Sequence, residues 1–383
     1  MAYEFKLPEK VIVGENALIE SMSIIKSFGK KALVVCGKVM TKNGTIGILT
    51  GLLKENGIGF EVFNNITGEP TDKMIEEGVN VYKESGCDFC IAMGGGSPLD
   101  SAKAIGAMTV LGGKISDYMG KEIEGDFPPL VLVPTTAGTG SEATKFTVIT
   151  DTEKDIKMLL KGEKLLPNLA VIEYKFSLTA PKSITAATGM DALTHAVESY
   201  TSKKGNTLTD MYALSAIKRI FKYLPIAYKD GTNEKAREEL SIAAFEAGVC
   251  INNASVTLVH GMSRPIGALF HVPHGISNAM LIKECLTYAL DGCYEKFSEI
   301  ANALNLTHEF MTCEEAANEF IKALENLCSI CEIPTLKEYG INKTDFDKVI
   351  DKMAQDAMDS GSPGNTIKKV TKEDLIEIYK KLW

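Results

Sequence analysis

The sequence predicts an N-terminal α/β domain of Rossmann-like type on a parallel sheet, residues 1–178, and an all-α C-terminal domain, residues 179–383. Three observations carry this reading. Apolar runs rich in β-branched residues alternate with helical stretches through the first half. Those strand signals stop near Leu178–Pro181, and only long helical patterns follow. The length of 383 residues is also large for a single hydrophobic core.

The strands come in order: Val11–Gly14, Lys31–Gly37, Gly59–Asn64, Asp88–Met93, Pro129–Pro134 and Leu169–Tyr174. Helical stretches such as Lys73–Ser85 and Pro98–Val110 lie between them. Near-continuous apolar strands alternating with helices predict a parallel sheet covered on both faces. The second half reads as helices over Ser183–Tyr200, Thr209–Leu224, Glu234–Val249, Ser277–Ala289, Glu314–Ile330 and Glu373–Leu382.

Composition narrows the function classes. The chain is 45% hydrophobic and 24% charged, as expected of a soluble globular protein. Its net charge of −9 and the lack of any basic stripe argue against nucleic acid as a partner. No apolar run reaches the length of a membrane span, and the start, MAYEFKLPEKVIVG, shows no export signal. Nine scattered cysteines then read as reduced thiols in a cytoplasm. Cys328 and Cys331 form a lone CxxC at a helix end, where a zinc ribbon would need a second pair.

Two loops follow strands in the first half. GGGSPLDSAK, Gly94 to Lys103, sits between the Asp88–Met93 strand and a helix. A glycine triplet alone more often marks a turn. In this position Gly94, Gly95 and Gly96 let the backbone approach a ligand, and exposed amides at the helix start favour an anion such as a pyrophosphate. Pro98 is expected at the first helical position. The run is not GxGxxG, so the usual dinucleotide fingerprint does not apply. TTAGTGSEAT, Thr135 to Thr144, follows the next strand, at the end of a parallel sheet where α/β folds bind ligands. Ser141 can equally be a helix cap.

Four of the chain's five histidines fall between Gly189 and His274. Asp191 and His195 are four apart, so on a helix they share a face. His260 and His274 come later. Pro265 and Gly267 are expected to interrupt the helix between them so that the chain folds back, and Pro273 predicts a helix starting at His274. One Asp and three His form an N/O ligand set that suits Fe(II) or Zn(II). Spacing alone leaves this open against ordinary core histidines.

GMDALTHAVESY, followed by VHGMSRPIGALFHVPHGISNAML, resembles the iron-containing alcohol dehydrogenase family. GGGSPLD and PTTAGTGSE match it too, so the resemblance spans most of the chain. It implies that Asp191, His195, His260 and His274 bind a divalent metal, with Fe(II) favoured and Zn(II) possible. It implies that Gly94, Gly95, Gly96, Ser97, Asp100, Thr135, Thr136, Thr139 and Ser141 hold a nicotinamide dinucleotide, and that Lys157 reaches it. The N-terminal domain would then bind the dinucleotide and the helical domain the metal, with substrate in the cleft between them. The chain departs from the family at Arg264, where many members carry a second histidine near the substrate.

The implied activity is hydride transfer between NAD(P)(H) and a small primary alcohol or aldehyde of the butanol, propanediol or lactaldehyde class. His271 is a candidate proton carrier. The rivals are a glycerol dehydrogenase-like enzyme and a dehydroquinate synthase-like lyase. The lyase would need many cationic residues, where the histidine region offers only Arg264. A non-catalytic metal- or nucleotide-binding protein is the remaining alternative. NAD-preferring members tend to carry an Asp after the second strand, which repels a 2′-phosphate. Here that position is Gly37, followed by Lys38, so NADP(H) is expected over NAD(H). A homodimer is also expected, with the Tyr3–Val13 segment a strand-like edge able to pair across an interface.

Overall fold

The computed structural model describes residues 2–154 and 156–383. They divide into two compact units. One is Phe5–Thr179. The other is Ala180–Trp383, to which the residues just before Phe5 also belong.

Among the described residues the first unit holds eight strands: β1 Val11–Val13, β2 Lys31–Cys36, β3 Gly59–Phe63, β4 Phe89–Gly94, β5 Leu130–Pro134, β6 Phe146–Asp151, β7 Ile156–Lys161 and β8 Leu169–Ile172. Six form one sheet in the order β1-β8-β5-β4-β2-β3, with every pairing parallel. Burial explains the unbroken apolar runs. Leu33, Val35, Cys90 and Ala92 pack into a core on one face. Ala32, Val34, Ile91 and Met93 alternate with them into a second core on the other. With both faces covered, neither set can be polar. β2 leads outward to β3, whereas β4 leads the other way to β5, so the strand order reverses between β2 and β4. In open α/β sheets ligands bind outside the carboxyl ends of the strands at such a reversal.

Two features of this unit differ from the sequence reading. β6 and β7 form an antiparallel hairpin, with register Phe146↔Lys161 to Asp151↔Ile156. The strand–helix alternation elsewhere hid it, although Thr147, Ile149 and Asp151 are buried where their neighbours are not. The strand expected over Val11–Gly14 spans Val11–Val13, and the strand-like Tyr3–Val13 segment is strand only there. It pairs with β8 at the sheet edge, and the described residues before Val11 are not strand.

The second unit is all helical. Its helices include Lys182–Tyr200, Thr207–Lys229, Glu234–Asn253, Leu258–Phe270, His274–Ala289, Tyr294–Ala303, Cys313–Ile330, Lys343–Asp359 and Lys372–Lys380. The expected break at Pro265 and Gly267 does not occur. Leu258–Phe270 continues through Pro265, because Leu258, Val259, Met262 and Ile266 bury its apolar face and outweigh the lost N–H bond. The chain reverses later. His271 takes a left-handed conformation with φ 54°, and Pro273 caps the helix whose first residue is His274. Cys328 and Cys331 close the Cys313–Ile330 helix as free thiols, and burial pushes each up to about 12. No single described helix is long and apolar enough to cross a membrane.

Candidate metal centre and dinucleotide loops

Three helices bring four candidate ligands to one point. Asp191 and His195 come from the Lys182–Tyr200 helix, His260 from Leu258–Phe270, and His274 from the first position of His274–Ala289. One ligand atom from each lies within 4.8 Å of the others. Asp191 Oδ1 is 3.8 Å from His195 Nε2, 3.8 Å from His260 Nε2 and 3.6 Å from His274 Nε2. These separations are too long for hydrogen bonds. They are close to the ligand-to-ligand spacing around one ion with bonds of roughly 2.1 Å. The helices can approach because Gly275 has no side chain, and a Cβ there would lie 2.6 Å from the Ala187 carbonyl oxygen.

Two further residues shape the cluster, and the sequence reading missed both. Glu198 is fully buried, three residues after His195 on the same helical face. Its Oε1 accepts from Thr257 Oγ1 at 2.8 Å and from the Val259 amide at 2.6 Å, and its Oε2 lies 2.6 Å from His260 Nδ1. A carboxylate only accepts, so His260 Nδ1 carries the proton and Nε2 presents a lone pair to the cluster. Burial, followed by the His195 and His274 imidazoles, holds His260 well below the ordinary imidazole range, so the ring is neutral. Asn278, one turn after His274, donates Nδ2 to Asp191 Oδ1 at 2.7 Å. The same nitrogen lies 3.1 Å from His260 Nε2 and 3.2 Å from His274 Nε2. Two amide hydrogens thus face three converging acceptors.

Burial works against the Asp191 carboxylate, but the three imidazoles and the Asn278 amide outweigh it and hold its pKa below the usual range. Lone pairs and one negative charge converge in a buried place with too few hydrogens to satisfy them, which fits a divalent cation. The His274 side chain is 43% exposed, whereas those of Asp191, His195 and His260 are buried, so one side of the cluster is open. His271 is exposed at its helix end and is not part of the cluster.

The two glycine-rich loops of the first unit also meet. Gly94 ends β4, Gly95 caps the Gly96–Leu111 helix, and Gly96 and Ser97 begin it. Pro98 is therefore third in the helix rather than first, and in the first turn its missing N–H is still no loss. The Thr135 amide donates to the Gly94 carbonyl at 2.8 Å. A Cβ on Gly95 would lie 3.4 Å from Thr136 Oγ1, and one on Gly96 would lie 2.8 Å from Thr139 Cγ2. The missing side chains thus let these loops close on each other beside exposed helix-start amides.

Asp100 and Ser141 join each other beneath that contact. Ser141 Oγ donates to Asp100 Oδ1 at 2.6 Å, and the Val148 amide donates to Oδ2 at 2.9 Å. Buried Lys103 donates to the Thr144 and Phe146 carbonyls, both at 2.8 Å, and to Thr144 Oγ1. Burial pushes Lys103 down to about 8 and the nearby Glu142 up to about 7. These polar groups clamp the Ser141 turn and β6 to the Gly96–Leu111 helix. Lys157, on β7, pairs with Glu69 at 2.6 Å. Gly37 caps a short helix, Lys38–Lys42, at the end of β2, and a Cβ there would lie 3.1 Å from the Ile66 carbonyl oxygen.

Known proteins resemble the chain over nearly its whole length. Residues 8–174 match the family described as iron-containing alcohol dehydrogenase, and residues 185–383 match the C-terminal part of the Fe-containing alcohol dehydrogenase family. The chain is 34% identical to an NAD-dependent methanol dehydrogenase of Bacillus methanolicus, over 98% of each chain. It is 35% identical to a 1,3-propanediol dehydrogenase of Citrobacter freundii, over 99% of this chain and 98% of that one. A crystal structure of 1,3-propanediol oxidoreductase superposes with a TM-score of 0.97, at 33% identity and full coverage of both chains.

Glu198→Gln should weaken divalent-ion affinity by roughly 10- to 100-fold, because His260 loses the group that fixes its tautomer. Competition against a chelating dye measures this. An affinity equal to wild type would show that His260 needs no such partner.

Proposed function

The chain belongs to the iron-containing alcohol dehydrogenase family and is an alcohol/aldehyde oxidoreductase, and from that premise we propose how its residues divide the work. Asp191, His195, His260 and His274 hold one divalent ion, with Fe(II) favoured over Zn(II). The convergence of Asp191 Oδ1 and the imidazole nitrogens on one point, with too few hydrogens to satisfy them, carries this reading. Residues 1–178 form the dinucleotide-binding domain and residues 179–383 the metal-binding domain. The family match over nearly the whole length sets aside the lyase and non-catalytic alternatives.

When bound, a divalent ion supplies Lewis-acid polarisation of the substrate oxygen, and the nicotinamide carries the hydride. The protein's own part is orientation. Glu198 fixes the His260 tautomer, and Asn278 aligns Asp191. The exposed side of His274 leaves the substrate a direction of approach. The amides of Gly95, Gly96 and Ser97 bind the dinucleotide's anionic groups at the helix start, with Gly94, Thr135, Thr136 and Thr139 shaping that loop. Asp100 and Ser141 hold the loop from beneath, and Lys157 can reach the dinucleotide by releasing Glu69. For His271 we propose exchange of a proton with solvent, the role that its exposure supports. The substrate is a small primary alcohol or its aldehyde. The setting is the cytoplasm, and the assembly is a homodimer.

The cofactor is NADP(H) in preference to NAD(H). No carboxylate stands at Cys36, Gly37 or Lys38, beside the reversal of strand order, and the exposed Lys38 ammonium can offset a 2′-phosphate. The methanol dehydrogenase that the chain resembles is NAD-dependent by its name, so NADH is the competitor to test against.

Three outcomes are expected. His260→Ala loses bound metal and activity together, by metal analysis and aldehyde reduction, and full metal occupancy in that variant would remove the ligand assignment. Wild type shows the higher kcat/KM with NADPH, and Gly37→Asp moves the ratio toward NADH despite the tight approach of the Ile66 carbonyl. A higher wild-type kcat/KM with NADH would refute the Gly37 argument and leave the metal site untouched. Light scattering at micromolar concentration gives a dimer mass, and a monomer mass would refute the assembly.

A further inference from the structure

Arg264 stands one turn after His260 in the Leu258–Phe270 helix, so the two side chains leave the same face. The side chain is partly buried, and its charge reaches His260. Among the described residues its single hydrogen bond runs from Nη1 to Ser362 Oγ at 3.0 Å. A guanidinium has five N–H donors in a rigid fork and stays charged in proteins. Nε and Nη2 hold no protein partner, yet neither is sealed from solvent. The carboxylate felt most at Arg264 is Glu198, and it is already engaged by Thr257, Val259 and His260.

A partly buried cation with no paired carboxylate is unusual, because withdrawing a charge from water is costly without a partner. Here the structure holds that cation in place. Ser362 lies in the turn before Pro363, and that turn packs so closely on the helix that a Cβ on Gly261 would meet Pro363 Cδ at 2.7 Å. Ser362 therefore takes one end of the fork and leaves the Nε/Nη2 edge free. Asp191 and Glu198 are the buried carboxylates of the site. With a divalent ion bound, Arg264 leaves the site net positive.

We propose that Arg264 is a specificity residue that binds the carboxylate of a short ω-oxo carboxylate, an aldehyde bearing its own anion. The inference rests on the aldehyde-reductase reading given above. The free edge of the fork matches a carboxylate with two parallel N–H···O bonds. Side chains one turn apart on a helix are separated by about 5–6 Å at Cβ. Because the two side chains leave neighbouring positions on one helix face, an aldehyde and an anion two or three carbons apart suit an aldehyde toward the Asp191, His195, His260 and His274 cluster and a carboxylate on Arg264.

The test compares 4-oxobutanoate with butanal, which have the same number of carbons and differ in the anion. Wild-type holoenzyme should favour 4-oxobutanoate in kcat/KM by at least about 10-fold, the scale of a hydrogen bond to a charged group. Arg264→Met should reduce that ratio by roughly 10- to 100-fold, chiefly through KM for the anion. Arg264→Lys should keep part of the preference as a point charge. Equal or better use of butanal by wild type would overturn the proposal and leave the aldehyde-reductase reading standing. A loss in Arg264→Met that is the same for both aldehydes would assign Arg264 a structural role through Ser362 and also overturn it. Failure to reduce either aldehyde with either cofactor would remove the reductase reading, and this inference with it.

Discussion

Four lone-pair donors from three helices converge on one buried point, and the helical unit is arranged to make that possible. Asp191 carries a negative charge into the protein interior, where burial alone would neutralise it. The three imidazoles keep it ionised. Their Nε2 atoms face that same point, where one Asn278 amide cannot satisfy three acceptors and a divalent cation would fit. Glu198 extends the arrangement by one layer and fixes which nitrogen of His260 looks inward. Removing any of these groups leaves another buried and unsatisfied. The small residues around them follow from the same demand. Ala192 and Ala196 are buried on the same helix as Asp191 and His195, and Gly275 lets the His274 helix meet the Ala187 backbone.

The sheet unit solves a different problem. It must expose backbone amides at the reversal of strand order without losing the loops that carry them. Glycine supplies the close approach between the Gly95–Gly96 turn and the threonine loop. A buried polar group holds the pair from below, with Lys103 donating to three oxygens and Asp100 accepting from Ser141 and Val148. Every hydrogen of the Lys103 ammonium has an acceptor, so the burial is tolerated. Residues that the motif marks as cofactor-binding thus divide into loop amides and groups that brace the loop.

Much of this was legible in the sequence. Strands buried on both faces read as apolar runs, and the four side chains that converge, Asp191, His195, His260 and His274, were visible as residue types in two short motifs. Three features were not legible, for physical reasons. The β6–β7 hairpin alternates in burial over six residues, but it sits where the surrounding pattern is strand and helix. Pro265 looked like a helix breaker, yet tertiary burial of four apolar neighbours carried the helix through it. Glu198 looked like a helix-surface carboxylate. Its spacing of three from His195 and seven from Asp191 was the available signal, and only the meeting with His260 gives it meaning. Gly37 has an ordinary extended backbone that does not require glycine, and its Cβ position faces the Ile66 carbonyl.

Coordination of one ion by Asp191, His195, His260 and His274 is open to direct measurement. X-ray absorption at the iron edge of anaerobically loaded protein measures that shell directly. The expected result is light scatterers only, at about 2.1 Å, with outer-shell features of three imidazoles. A sulfur shell at about 2.3 Å, drawn from any of the free cysteines, or a count of fewer than three imidazoles, would contradict it.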